Sequence, residues 1–278
     1  MFFSMFLRSF FIQAGWNYER FQNLGFAYSL LPALKKIYPG PEQLKAAVLR
    51  HLEIFNTQPY MAAFVLGNVV RMEERAAASP DPAAELKSMP GVKQALASSF
   101  ASIGDRIFWG RLKPMTTQLC LLVWAAGGFY GWIFTSELTL PPLRLLLAGP
   151  LSGIVLYSFI AVRWRWRGLV KGYECGGAAS CGLDFMDWPR LIRRLSTAGF
   201  GMSIALALLS FGLLASTNYS SGHAGIMLLK LGLAASVLVL HRVTRACGRS
   251  VFFAAGLVLA VSVLLFSVFK LQPFNLYI

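Results

Sequence analysis

Charge is scarce in this chain. Of its 278 residues only 14% are charged, where a soluble domain carries about 25%. Acidic groups are rarer still, 12 Asp and Glu against 26 Lys and Arg, for a formal net charge of +14. Histidine occurs three times and cysteine four times. There is no P-loop, no GxSxG, no HExxH and no pair of carboxylates within an apolar run, which excludes the familiar soluble nucleotide-binding, hydrolase and zinc-protease chemistries. The four cysteines (Cys120, Cys175, Cys181 and Cys247) are scattered, and the spacing of Cys175 and Cys181 is too wide for a CxxC clip. Neither a disulfide framework, a metal site nor a cofactor is expected from them. The start, MFFSMFLRSFFIQAG, is apolar, but Arg8 interrupts it and no A-x-A pattern follows, so it does not read as a cleavable signal peptide.

What the chain has instead is apolar surface. Hydrophobic residues make up 56% and the mean hydropathy is +0.57, more than the polar residues of a soluble fold could cover. Five segments are expected to span a bilayer: 115–135, 143–162, 198–215, 224–240 and 251–269. The last is uncharged and about 28 Å long as a helix, close to the hydrocarbon thickness. The fourth is short and contains Lys230, which is expected to snorkel to the outer interface. The stretches between the spans alternate in charge. Residues 136–142 and 216–223 hold no Lys or Arg, whereas 163–197 hold seven and 241–250 hold Arg242, Arg245 and Arg249. Positive charge collects on the cytoplasmic side, which predicts a cytoplasmic N terminus, a periplasmic C terminus and no nucleic-acid role for the basic residues. Cys175 and Cys181 then fall in the cytosol, where thiols stay reduced.

Residues 1–114 differ from the rest, with 13 Lys and Arg, 8 Asp and Glu and no long apolar run. Residues 42–56 read as an amphipathic helix after Pro39-Gly40-Pro41, with Leu44, Val48, Leu52 and Phe55 on one face. Residues 60–70 are apolar but too short to span, and read as a re-entrant or interfacial segment. Residues 76–90, rich in Ala, Pro and Ser, read as a surface linker. The expected fold is therefore an all-α integral membrane protein, with an N-terminal helical region over 1–114 and about five transmembrane helices over 115–278.

Three polar segments stand out. Trp16 to Gly25 packs amides, an acid, a base and rings into one short stretch: Asn17, Glu19, Arg20, Gln22 and Asn23 beside Trp16, Tyr18 and Phe21. Amides and carboxylates suit hydroxyl groups, and rings suit the apolar face of a sugar; an interfacial helix with internal polar pairs would use the same residues. His51 to Tyr60 offers Asn56 before Pro59, and His51 on the apolar stripe of its helix, either a ligand group or a satisfied packing histidine. Asp105-Arg106 stands just before the first span, as a structural ion pair or as the lining of a polar cavity.

The stretches SFFIQAGWNYERFQNLGFAYSLLPAL (9–34), LRHLEIFNTQPYMAAFVLG (49–67), IGDRIFWGRLKP (103–114) and RGLVKGYECG (167–176) resemble the IID component of the mannose-type sugar phosphotransferase system, in order along the first two thirds of the chain. The resemblance implies a multi-pass subunit of the bacterial inner membrane. With a IIC subunit it would form a hetero-oligomeric permease that moves a hexose, coupled to phosphorylation by cytosolic IIA and IIB proteins, and it would have no phosphorylation site of its own. Gln58 stands where that family more often has histidine, Arg106 where a small residue is usual, and 217–278 lack the family's acidic, Pro-Gly-Leu-Leu-Pro-bearing C terminus. A non-transporting membrane scaffold of a reduced phosphotransferase system is the alternative. A neutral sugar shedding water needs replacement hydrogen bonds, which makes Asn17, Glu19, Gln22, Asn23, Asn56 and Asp105 the candidate path-lining residues; capping helices and holding a subunit interface is their other possible work.

Overall fold

The computed structural model describes residues 1–135, 143–178 and 180–220, and beyond these only scattered positions between 232 and 263. Among the described residues the fold is helical, with no strand and two isolated backbone bridges. The helices are α1 (Phe2–Ser9), α2 (Asn23–Ile37), α3 (Pro41–Arg50), α4 (Ala62–Ala78), α5 (Pro82–Gly104), α6 (Lys113–Thr135), α7 (Leu143–Glu174) and α8 (Trp188–Ser220). A π-helical segment, Asp105–Leu112, joins α5 to α6. The chain divides into two compact units, Met1–Leu209 and Ser210–Ile278, and α1 to α7 lie wholly in the first.

Several boundaries differ from the sequence reading, each for a local reason. The amphipathic helix stops at Arg50 rather than running to residue 56, because 51–58 is drawn into hydrogen bonds with the loop at 17–23. The apolar stretch at 60–70 is packed among other helices. It opens α4, in which every residue from Ala62 to Val70 is buried. The linker shrinks to 79–81. Ser79 precedes a proline and is extended (φ −78°, ψ 145°), which ends α4. Asp81 then caps α5 by accepting from the Ala84 amide at 3.2 Å, and Pro82 fills its first turn, where a missing N–H costs nothing.

The expected spans 115–135, 143–162 and 198–215 lie on α6, α7 and α8; 224–240 and 251–269, with Lys230, fall outside the described residues. Among the described residues two segments are long and apolar enough to cross a membrane, Leu146–Glu174 and Trp188–Gly212, each with mean hydropathy 1.6. The arginine-rich stretch 163–197 is mostly not a loop. α7 carries on through it to Glu174, and α8 begins at Trp188. At 32 residues α7 is about 48 Å long, so roughly 18 Å of it exceeds the hydrocarbon core.

The N-terminal helices are built on that excess length. α4 crosses the arginine-bearing end of α7 at backbone contact. A β-carbon on Gly172 would lie 2.1 Å from the Phe64 carbonyl oxygen, and one on Gly67 would lie 2.2 Å from that of Leu169. Small residues here let the two helices meet without side chains between them, the device used between membrane helices. Phe64 stacks on Phe100 of α5 at 4.7 Å and meets Trp188 at 6.2 Å. Phe2 and Phe6 of α1 pack edge-on against Tyr173 and Trp166. Trp166 is half exposed, whereas Trp164 contacts Phe108 and Trp188.

Between α7 and α8, Cys175 and Cys181 are joined in a disulfide, their α-carbons 5.3 Å apart. This corrects the reading of four unpaired thiols. The turn from Cys175 to Cys181 contains Gly177 with φ +98°, a conformation open to glycine that folds the chain back on itself.

Candidate functional site

Two of the three polar segments are stapled together by their own side chains. Asn17 and Phe21 exchange backbone hydrogen bonds of 3.0 and 2.9 Å, closing 17–21 into a tight loop. Phe21 takes φ +55° to do so, a left-handed conformation that costs a phenylalanine of order 1–3 kcal/mol unless its surroundings enforce it. The enforcement is visible on both sides. The Gln22 amide donates to the Phe55 carbonyl at 2.8 Å, and the Phe55 amide donates to that of Arg20 at 3.3 Å.

The side chains repeat this pattern. Gln22 Nε2 donates to the Thr57 carbonyl at 2.8 Å and its Oε1 accepts from the Thr57 amide at 3.1 Å, so one glutamine imitates a strand neighbour. Asn23 Nδ2 donates to the Leu52 carbonyl at 2.8 Å, and its Oδ1 accepts from Asn17 Nδ2 at 2.9 Å. Asn17 Oδ1 accepts from the Arg20 amide at 2.8 Å. Gln22 and Asn23 are buried. Hydrogen-bonding groups so occupied hold loops in place; they have little left for a ligand.

Glu19, Asn56 and Asp105 are different, since all three are exposed. Glu19 and Asn56 stand on the two stapled loops. Asp105 follows Gly104, whose absent β-carbon leaves room for the Gln58 side chain; a Cβ there would come within 2.6 Å of it. Gln58 in turn accepts from the amides of Tyr60 and Met61 at 2.7 and 3.2 Å, serving the N-terminal end of α4. Segment 51–58 is thus the element that the other two polar segments meet. Beside Glu19, Trp16 and Tyr18 meet edge-to-face at 4.8 Å, and Tyr18 is 89% exposed. Asp105 and Arg106 are not among the ion pairs of the described residues.

Beneath the staple lies a charged cluster centred on Glu73. Glu73 of α4 is fully buried. Its Oε1 lies 2.7 Å from His51 Nε2 and 3.0 Å from Arg50 Nε, and its Oε2 accepts from the Tyr38 hydroxyl at 2.8 Å. Burial alone would raise its pKa, but His51, Arg50 and Tyr38 together hold the carboxyl below its usual range. Burial pushes the His51 imidazole down, against the pull of Glu73, so His51 is neutral and donates Nε2–H to the carboxylate. Tyr38 is driven up, by burial first and then by its bond to Glu73. The signal was present in the sequence. Glu73 falls on the same helical face as Leu66, Val69 and Val70 and continues their apolar period. Lys93 of α5 is buried beside this cluster, its Nζ 4.8 Å from the ring centre of Phe26 and 5.6 Å from that of Phe55.

Arg165 is the other buried base. From α7 it donates to the Ser9 carbonyl at 2.6 Å and lies over the rings of Phe10 and Tyr60, pinning the end of α1 to the long helix. Among the described residues no group of three or more His, Cys, Asp or Glu could hold a metal ion.

Residues 1–210 match the family described as the mannose/fructose/sorbose family IID component of the phosphotransferase system. The mannose-specific EIID component of Escherichia coli K12 is 36% identical over 173 residues, which cover 62% of this chain and 54% of that protein. The fructose permease IID component of Bacillus subtilis is 34% identical over 174 residues, 63% of this chain and 56% of that one. The chain therefore spans about half the length of the curated relatives it matches. A solved structure described as a membrane protein superposes with a TM-score of 0.55 at 27% identity, covering 89% of this chain and 96% of its own. A cryo-electron microscopy structure of the mannose transporter ManYZ with microcin E492 has the same identity and coverage at a TM-score of 0.49. The helical build, the membrane-length segments and the match over 1–210 lead to one assignment: the chain belongs to the IID component family of the mannose-type phosphotransferase system.

Proposed function

We propose that this protein is the IID subunit of a sugar permease. With a IIC membrane subunit it moves a hexose across the bacterial inner membrane while cytosolic IIA and IIB proteins phosphorylate it. The observation that carries the reading is the family match over 1–210, and the geometry of the polar segments agrees with it. The subunit crosses the membrane about five times, N terminus inside, with the arginine-bearing ends of α7 and α8 toward the cytosol and available to the IIA and IIB proteins.

The chain itself carries no phosphoryl group at His51. That ring is 1% exposed and its Nε2 is bonded to Glu73, which leaves no approach for a phosphodonor. The six candidate residues divide into two roles. Asn17, Gln22 and Asn23 form the framework. Glu19, Asn56 and Asp105 face outward and meet the sugar path or the IIC surface that completes it.

The test is uptake of labelled mannose in a strain deleted for the system and complemented with the chain and its IIC, IIA and IIB partners. Asn56→Ala and Asp105→Asn should lower uptake while the complex still purifies intact, and Gln22→Ala should reduce recovery of the complex. Uptake that is indifferent to the presence of this chain, with all partners expressed, would overturn the reading.

A further inference from the structure

On the first unit's surface, between the start of α6 and α7, lies a groove of about 400 Å³. Its walls are Trp109, Lys113 and Thr117 on one side and Tyr157 and Ser158 on the other, with Gly153 at its base. Lys113 lies 4.7 Å over the Trp109 ring, and its ammonium takes part in none of the ion pairs among the described residues. Thr117 donates its hydroxyl proton to the Lys113 carbonyl at 3.1 Å, which leaves its oxygen free to accept a hydrogen bond. The groove thus offers an unpaired cation, an acceptor oxygen and aromatic walls.

Its depth follows from the helices. Thr116 backs onto Gly153, where a β-carbon would lie 2.9 Å from the Thr116 carbonyl. Lys113, one turn earlier on the opposite-running α6, is level with Tyr157 of α7, about 9 Å on the apolar side of Arg163 at 1.5 Å per residue. A lysine stem reaches most of that way. The adjoining face of α7 is open and apolar: Ile154 is 60% exposed, Val155 64% and Phe159 63%. A cation at headgroup level, a tryptophan beside it and an apolar wall below match one molecule, a phospholipid standing in its own leaflet. A free sugar would leave both the ammonium and the apolar wall unused.

We propose that this groove holds an anionic glycerophospholipid, its phosphate on Lys113, its headgroup hydroxyls donating to Thr117 and its acyl chains along Ile154 and Phe159. The test places the full chain in nanodiscs with brominated phosphatidylglycerol or brominated phosphatidylcholine. Trp109 quenching is read as the difference between the native chain and Trp109→Phe. The native chain should reach half-quenching at about a fivefold lower mole fraction of phosphatidylglycerol than of phosphatidylcholine, the preference that one basic residue at an anionic surface supports. Lys113→Arg should keep that preference and Lys113→Gln should remove it. Equal quenching by the two lipids in the native chain would overturn the proposal whatever the variants do. So would displacement of phosphatidylglycerol by millimolar inorganic phosphate, which would mark a free-anion site. So would a Trp109 response to added hexose that is insensitive to lipid, which would mark a sugar site.

Discussion

Replacing Lys93 by methionine should make the protein more stable. The side chain is 1% exposed, and its Nζ finds no hydrogen-bond acceptor among the described residues. Burial pushes its pKa from 10.5 down to about 8, with Glu53 pulling weakly the other way. At roughly 1.4 kcal/mol per pH unit that displacement corresponds to a penalty of about 3 kcal/mol. The rings of Phe26 and Phe55 return ~1–2 kcal/mol through cation–π contact. Below pH 8 lysine is charged in both the folded and the unfolded chain, so the penalty is fully present at pH 7. Between pH 8 and 10.5 the folded state has lost its proton while the unfolded state keeps it, so the native protein gains stability as the pH rises. Methionine retains the stem and removes the charge. Its gain at pH 7 should be about 1–3 kcal/mol, a rise in midpoint of roughly 2–10 °C for a chain of this size. Thermal unfolding in detergent, followed by tryptophan fluorescence at pH 7 and pH 9.5, reads both quantities. A midpoint at pH 7 lower than native, or an advantage that widens at pH 9.5, would refute the reasoning and show that Lys93 is paired.

Glu73→Gln should cost about 1–3 kcal/mol, since it weakens the bonds that the carboxylate accepts from the buried His51, from Tyr38 and from the half-buried Arg50; the same thermal assay in detergent measures it. Acid should act on the same cluster. The His51 pKa is depressed, so its contribution falls as the pH drops below 6.5 and the unfolded imidazole takes up protons; the contribution of Glu73 goes as the pH falls through its lowered native value. A midpoint that is flat from pH 7 to pH 4 would contradict both. Gly172→Ala should separate α4 from α7 and reduce recovery of folded protein. Gly91→Ala, where a β-carbon meets nothing within 4 Å, should instead raise stability by about 0.5–1 kcal/mol; size-exclusion profiles and melting curves of the two variants give the comparison.

The membrane class and the resemblance could be read from apolar runs and rare motifs because both are local in sequence. The ends of elements could not. Residues 51–55 keep a helical apolar period, yet the carbonyls of Leu52 and Phe55 are claimed by Asn23 and by the Gln22 amide, partners some thirty positions away. The burial of residues 60–70 was not legible from their length alone; α7 supplies the partner that covers them. For the candidate site, residue type suggested sugar chemistry for all six positions, but amides serve backbone groups as readily as hydroxyls. Only the fold separates Gln22, which pairs with Thr57, from Asn56, which faces outward. Glu73 was passed over because a carboxylate in a charged run such as Arg71 to Arg75 is ordinarily a surface group.

The long helix α7 has a mechanical consequence. One end of it is apolar enough to lie in lipid, and the other carries α1 and α4 through Arg165 and through glycine contacts that leave no soft side chains between the backbones. A rod of this kind amplifies. Over its length of about 48 Å, a change of 10° in tilt sweeps the far end through about 8 Å. The stapled loops stand on the body joined to that far end, so a small reorientation of α7 against its lipid surroundings would move Glu19 and Asn56 by more than the width of a hexose ring while leaving every hydrogen bond of the staple intact.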